Sequence, residues 1–179
     1  MSAAADVCRP GHVILVGLPG AGKTTAGRLA ASLLGRPFLD LDEEIERREG
    51  MTVAGIFAAR GEEGFRALER GITAGLVGAP PMVLAPGGGW ITSPEAVALL
   101  RPPGRIIHLR LPPAAALARL GGAATDRPLL RVRDPAAALA QLYERRRRLY
   151  EAADAEIDVE NLTPQQVAAR IAALAAAWA

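Results

Sequence analysis

Short runs of apolar residues alternate along the chain with longer stretches in which apolar residues recur every three or four positions. The short runs predict buried strands at 13–17, 38–41, 82–85, 105–109 and 155–159. The periodic stretches predict helices at 23–34, 42–48, 52–60, 62–77 and 135–152, and further helices that begin near residues 94, 112 and 164. This alternation is typical of an α/β domain, in which helices cover both faces of a mainly parallel sheet.

The 179 residues contain no evident linker or internal repeat, which predicts a single domain over 1–179. No apolar stretch is long enough to cross a membrane, and one cysteine cannot form an internal disulfide. The first residues lack the basic start and apolar run of a secretory signal. We therefore expect a cytoplasmic protein with no membrane partner.

Charge changes this picture in one respect. The formal net charge is only +2, which does not indicate a large footprint on nucleic acid, so no nucleic-acid partner is expected. Of the 21 basic residues, Lys23 is the single lysine and the others are arginines. Because the chain otherwise uses arginine throughout, a retained lysine indicates a role that arginine cannot fill.

That lysine lies in a phosphate-binding motif. Residues 17–24 have the spacing Gly-x4-Gly-Lys-Thr of a P-loop, between a predicted strand and a predicted helix. Glycines let backbone amides turn toward phosphate oxygens, Lys23 reaches the β- and γ-phosphates, and Thr24 offers a hydroxyl to Mg²⁺. The alternative is a glycine-rich turn with a surface lysine. The ATP contacts predicted in this loop are Gly20, Ala21, Gly22, Lys23, Thr24 and Thr25.

Two carboxylates, Asp40 and Asp42, end the second predicted strand. Residues two apart share a face of a strand, so both side chains are expected to point into one cleft. One could support Mg²⁺ and its waters, while the other could orient an attacking hydroxyl or accept its proton. Alternatively, Asp42 is the N-cap of the helix that follows.

Further candidates are arginines and glycines. Arg66 lies three residues before Glu69 in a predicted helix, Gly87–Gly89 follow a buried strand, and Arg127 lies in a predicted loop. Glycine amides can approach a ligand closely, and a loop arginine can stabilise the charge of a transferred phosphoryl group. The alternatives are a solvated helix residue, a flexible turn and an exposed loop charge. Among the four consecutive arginines 145–148, at most two can face one site.

As an ordered set, these motifs resemble the shikimate kinase family of small P-loop kinases over about residues 12–175. Beyond the P-loop, the matching pieces are Phe38-Leu-Asp40-Leu-Asp42, Ile56-Phe57, Gly61-Glu62-Glu63-Gly64-Phe65-Arg66 with Glu69, Gly87-Gly88-Gly89, Gly121-Gly122, Arg127-Pro-Leu-Leu, and Arg146 before Leu149-Tyr150. The resemblance implies a monomer with a three-layer α/β/α sandwich and a five-stranded parallel sheet, as in nucleoside monophosphate kinases. It also implies ATP-dependent phosphorylation of the 3-hydroxyl of shikimate, a step of aromatic amino-acid biosynthesis, with Mg²⁺ as cofactor.

The resemblance assigns roles on the ATP side of the site. Lys23, Asp42 and Arg127 are implied to be catalytic, and Arg127 would come from a lid at about 120–134. Thr24 and Asp40 are the implied metal-binding residues. The implied contacts with ATP outside the P-loop are Arg119, Arg127 and Pro164.

On the acceptor side, the resemblance implies a binding region at about 42–75. Asp42 would hold two ring hydroxyls and assist proton removal, while Arg66 and Arg146 would bind the acceptor carboxylate, for which the guanidinium fork is well suited. Glu69 would orient Arg66. The implied acceptor-binding residues are Asp42, Phe57, Arg66, Glu69, Gly87, Gly88, Gly89 and Arg146.

Two residues depart from the family pattern beside the glycine run. Trp90 follows the run where a small residue is usual, and Pro86 precedes it. The tryptophan could reshape the acceptor pocket, or it could point into the core. Trp90 therefore keeps open a rival function, a kinase of the same fold acting on another small hydroxy acid such as gluconate. A second rival is a non-enzymatic nucleotide-binding regulatory module that uses the arginine run on nucleic acid.

Overall fold

Five parallel strands form one sheet in the order β2-β3-β1-β4-β5. The computed structural model describes residues 11–121, 130 and 132–178. The strands are β1 (Val13–Val16), β2 (Phe38–Asp40), β3 (Val83–Ala85), β4 (Arg105–Arg110) and β5 (Ala155–Asp158). The predicted five-stranded parallel sheet is therefore confirmed.

Helices follow the strands along the chain and cover both faces of the sheet. They are α1 (Lys23–Leu34), α2 (Leu41–Glu49), α3 (Val53–Gly75), α4 (Pro94–Leu100), α5 (Pro113–Leu120), α6 (Pro135–Glu151) and α7 (Pro164–Ala177). Side chains cap several helix ends: the Ser93 side chain accepts from the Ala96 amide, and Thr163 with Gln166 forms a capping box on α7. None of the helices in the described residues is both long and apolar enough to cross a membrane.

The long helix α3 contains a break at Gly61, whose φ of 67° lies in the left-handed region. Only glycine adopts such an angle without strain, so this residue allows the helix axis to bend there. The sequence predicts separate helices at 52–60 and 62–77, and the backbone leaves helical geometry between those two ranges. The break divides α3 into a first segment that carries Phe57 and a second that carries Arg66.

Each face of the sheet has its own apolar core, and β1 shows why. Val13 and Leu15 join the core formed with α1, α5, α6 and α7, while Ile14 and Val16 join the core formed with α2, α3 and α4. All four side chains are at most 4% exposed. A strand buried on both faces requires a continuous apolar run, which is the pattern that the sequence has here.

Candidate active site

The P-loop follows β1 and leads directly into α1. Its glycines Gly17, Gly20 and Gly22 have φ values of 147°, 86° and 84°. A Cβ at Gly17 would lie 2.5 Å from the Leu109 carbonyl oxygen, so the loop also lies too close to β4 for a side chain. Gly22 is the N-cap residue of α1 and provides no side-chain cap, which leaves the amides of the first turn facing the loop.

Lys23 and Thr24 begin α1 and face the interior of this loop. The Lys23 ammonium donates to the carbonyls of Gly17 and Leu18 at 2.9 and 3.0 Å. The Thr24 hydroxyl donates to Asp40 Oδ2 at 2.6 Å. The start of α1 and the end of β2 are thus joined by a hydroxyl and a carboxylate, which are the oxygen ligands that Mg²⁺ prefers.

The two aspartates do not share a strand face, and this corrects the sequence argument. Asp40 is the last residue of β2 and the N-cap of α2, because its Oδ1 accepts from the amides of Asp42 and Glu43 at 3.0 and 3.3 Å. Asp42 lies in the first turn of α2, so the alternative that Asp42 is the N-cap is wrong. Helix α2 begins one residue earlier than predicted, at Leu41, because Asp40 is the residue that can cap it.

The glycine run after β3 brings the predicted acceptor residues together. A Cβ placed on Gly87 would lie 2.6 Å from Asp42 Oδ1, and one placed on Gly88 would lie 3.1 Å from an Arg146 nitrogen. On Gly89 it would collide with the Arg66 guanidinium, 2.6 Å from Nη1. Three successive glycines therefore contact Asp42, Arg146 and Arg66 in turn.

The same glycine run also lies beside the phosphate loop. A Cβ on Gly88 would lie 4.0 Å from the Gly17 carbonyl oxygen. Neither the Gly88 nor the Gly89 amide donates to a backbone carbonyl among the described residues. Both amides are therefore without a backbone acceptor among the described residues, close to the phosphate loop and to the two arginines.

Arg66 is held by a buried carboxylate. Its Nη1 donates to Glu69 Oε2 at 2.8 Å, and Glu69 is 1% exposed. Burial raises the pKa of the Glu69 carboxyl, while Arg66 acts in the opposite direction. The Arg66 guanidinium carbon also lies 5.5 Å from the centroid of Phe65, whose ring stacks on Phe57 at 4.7 Å. These contacts fix the direction of the guanidinium and give it an apolar wall.

Arg146 is the one arginine of the run 145–148 that is buried, at 7% exposure. The other three arginines of the run are exposed, so only the Arg146 side chain turns inward, next to Gly88. Exposed Arg147 instead pairs with Glu151 and Glu144 on the surface of α6. Behind Arg146, the buried Tyr150 stacks on His108 with ring centroids 4.4 Å apart and nearly parallel planes.

Trp90 points into the core. It is 1% exposed, and its indole Nε1 donates to the Thr73 hydroxyl at 3.1 Å. Of the two interpretations, the core position is the one observed. The predicted list of site residues does not include Thr73, although 66, 69 and 73 recur along one face of a helix, and that spacing is the signal that points to it.

Among the residues expected to contact ATP outside the P-loop, Arg119 bonds to the chain that leads into α7. Its guanidinium donates to the carbonyls of Val159 and Glu160, at 2.9 Å for the second. Pro164 is the exposed first residue of α7. Arg127 and most of the predicted lid at 120–134 lie outside the described residues.

The sequence of this chain is similar to those of known proteins. The family model described as shikimate kinase matches residues 19–176. A shikimate kinase of Moorella thermoacetica is 41% identical over 169 residues, which cover 94% of this chain and 96% of the relative. One from Thermodesulfovibrio yellowstonii is 39% identical over 160 residues, covering 89% and 92%.

Solved structures agree with the sequence relatives. A shikimate kinase from Acinetobacter baumannii in complex with shikimate superposes with a TM-score of 0.87 at 39% identity and covers 93% of each chain. A gluconokinase from Sinorhizobium meliloti reaches a TM-score of 0.61 at 19% identity, covering 94% and 93%, which shows the shared fold alone. The match of the family model to most of the chain, together with these relatives, shows that the chain belongs to the shikimate kinase family.

Proposed function

We propose that this protein transfers the γ-phosphoryl group of ATP to the 3-hydroxyl of shikimate. The observation that carries the proposal is the contact of Gly87, Gly88 and Gly89 with Asp42, Arg146 and Arg66, beside the Gly17 carbonyl of the phosphate loop. A small acid bound between the two arginines would lie next to the terminal phosphate of a nucleotide in that loop. Positioning of this kind supplies much of the catalysis in phosphoryl transfer.

On the donor side, the P-loop amides and Lys23 would bind the phosphates of ATP. Thr24 and Asp40 fit Mg²⁺, because a hydroxyl and a carboxylate oxygen already lie 2.6 Å apart. Among the described residues no three His, Cys, Asp or Glu side chains form a metal cage. Mg²⁺ bound with a nucleotide needs only one or two protein oxygens besides the phosphates, and it neutralises charge on those phosphates.

On the acceptor side, Arg66 and Arg146 would bind the carboxylate of shikimate, and Asp42 would orient the ring hydroxyls and accept the proton of the attacking one. The amides of Gly88 and Gly89 would add hydrogen bonds. Both arginines are largely withdrawn from water, which strengthens a charge-assisted pair with a carboxylate. Phe57 would line the apolar side of the ring.

The test is a coupled assay of ADP release with Mg²⁺ and ATP in the presence of shikimate, of gluconate, or of neither. ADP release that depends on shikimate, and product that carries the phosphate at the 3-position, is the expected result. Release stimulated by gluconate and not by shikimate would overturn the proposal for the acceptor while leaving the P-loop interpretation intact.

A further inference from the structure

A chain of buried hydrogen bonds connects the glycine run to helix α3. The Trp90 indole donates to the Thr73 hydroxyl at 3.1 Å, and that hydroxyl donates to the Glu69 carbonyl at 2.8 Å. Trp90 is 1% and Thr73 0% exposed, so neither group exchanges its partner for water. The chain ends on the residue whose carboxylate holds Arg66.

The turn that contains Trp90 is closed by hydrogen bonds within residues 87–92. The Trp90 amide donates to the Gly87 carbonyl at 2.9 Å, and the Thr92 amide and hydroxyl both donate to the Gly89 carbonyl, at 3.0 and 2.7 Å. Residues 87–92 therefore behave as one unit. The hydrogen bond from the Trp90 indole to Thr73 attaches this unit to α3.

The distance between residues 87–92 and α3 can change little without disturbing the site. Even the small Gly89 lies so close to Arg66 that a Cβ would lie 2.6 Å from its Nη1. An outward shift of the turn would move the Gly88 and Gly89 amides away from the two arginines. An inward shift would displace the Arg66 guanidinium from Glu69.

Filling of the core does not by itself explain the pair of Trp90 and Thr73. A phenylalanine would fill most of the same space without burying an N–H group, which requires a partner when water is excluded. Thr73 lies in the last turn of α3, and a threonine is less favourable in a helix than an alanine or a leucine. The two residues make sense together, as donor and acceptor.

We propose that Trp90 is a positioning residue for the acceptor site: its indole N–H, bonded to Thr73, sets the distance between the Gly87–Gly89 turn and the Arg66–Glu69 pair. It touches no substrate, and it acts on the affinity for an acceptor that carries a carboxylate. The proposal rests on the proposed function for the identity of that acceptor.

The test separates the hydrogen bond from the ring. Trp90→Phe removes the N–H group and keeps an aromatic ring, Thr73→Val removes the hydroxyl at nearly constant shape, and Thr73→Ser restores a hydroxyl. Ile91→Val is the matched control, because Ile91 is buried in the same turn and its side chain makes no hydrogen bond. Each variant is assayed for the KM of shikimate, the KM of ATP, kcat and Tm.

We expect Trp90→Phe and Thr73→Val each to raise the KM of shikimate about fivefold, because the acceptor must then order a turn that the lost hydrogen bond no longer holds. The KM of ATP should be unchanged. The double variant should be no worse than Thr73→Val alone, because the contact between the two side chains is already lost in that single variant. Thr73→Ser should stay close to the parent, and Ile91→Val should lower Tm without changing the KM. The proposal is overturned if Trp90→Phe behaves like Ile91→Val, or if the two single effects add.

A second measurement does not depend on the acceptor. In the ligand-free protein, amide hydrogen exchange at 87–92 should be faster in Trp90→Phe and in Thr73→Val than in the parent, while exchange in α7 should be unchanged. Equal exchange at 87–92 would overturn the proposal whatever the protein phosphorylates. A parent protein without shikimate-dependent turnover would instead contradict the proposed function.

Discussion

At the scale of single residues, Lys23 has the most demanding position. Its ammonium is a compact charge on a flexible stem and lies against the P-loop carbonyls, where a planar guanidinium has a different shape and hydrogen-bond geometry. We therefore expect Lys23→Ala to abolish turnover and Lys23→Arg to lower kcat by about 100-fold or more, in spite of the retained charge. Shikimate-dependent ADP release measures both, with Tm as the control for folding.

Arg66 is the residue at which acceptor binding is tested most directly. Arg66→Ala should raise the KM of shikimate by about tenfold or more, since a buried charge-assisted pair is lost, and should leave the KM of ATP nearly unchanged. Arg60→Ala is the matched control, because Arg60 is exposed on the same helix and pairs with Glu49. An unchanged shikimate KM in Arg66→Ala would refute the assignment of this arginine to the acceptor carboxylate.

At the scale of elements, the glycine turn has a steric requirement that can be separated from backbone strain. Gly89 has a φ of −87°, which an alanine also adopts, so Gly89→Ala acts only through the collision of its Cβ with Arg66. We expect the KM of shikimate to rise about tenfold, as the guanidinium is displaced from Glu69. Kinetic assays with varied shikimate check this.

Gly71→Ala is the control for that substitution. Gly71 lies inside α3, and a Cβ there would meet no atom within 4 Å. An alanine is the better helix former by about 1 kcal/mol, so Gly71→Ala should raise Tm and leave both KM values unchanged. Parental kinetics in Gly89→Ala would contradict the steric requirement at this position.

The elements themselves follow from local pattern, and the exceptions have a physical reason. The strands and helices occur where apolar runs and caps predict them, within one or two residues at most ends. Asp40 and Asp42 show the limit: each is a good N-cap by type, and only the hydrogen bonds to the Asp42 and Glu43 amides identify Asp40. Asp40 is also bonded to Thr24 of α1, a contact that forms only when β2 and α1 have packed together, and no local pattern contains it.

At the scale of the whole molecule, the sheet order explains why distant residues meet. Strand β1 lies between β3 and β4, so the P-loop and the glycine turn leave adjacent strands at the same edge. The P-loop could be predicted from spacing alone, and the other residues from an ordered set of motifs. The contact of Trp90 with Thr73 could not be predicted, because a buried indole finds its partner only after α3 and the sheet have packed together.

The fold also buries a titratable ring, and this sets a pH dependence of stability. Burial lowers the pKa of His108, with Arg110 and Lys23 acting in the same direction and the bonded Glu156 opposing them. A histidine whose pKa is lowered by folding favours the folded state when it is neutral. Its contribution is therefore complete above the ordinary histidine pKa of about 6.5 and decreases as pH falls below it.

His108→Phe tests this dependence while keeping a ring against Tyr150. Denaturant unfolding at pH 7.5 and at pH 5.5 should give a larger drop in the free energy of unfolding for the parent than for the variant. The other histidine, His12, is present in both proteins and cancels from the comparison. Equal drops in the two proteins would show that His108 does not contribute.

The single lysine of the P-loop also allows selective chemical labelling of the purified protein. Apart from the α-amino group, Lys23 is the only primary amine in the chain, and it is partly buried against two carbonyl oxygens. An amine-selective acylating reagent therefore has one side-chain target, and the mass of the peptide that contains Lys23, measured after digestion, distinguishes its modification from that of the α-amino group. Bound nucleotide should shield that amine, so the rate of acylation measures occupancy of the loop in the unaltered protein, without a dye or a substitution.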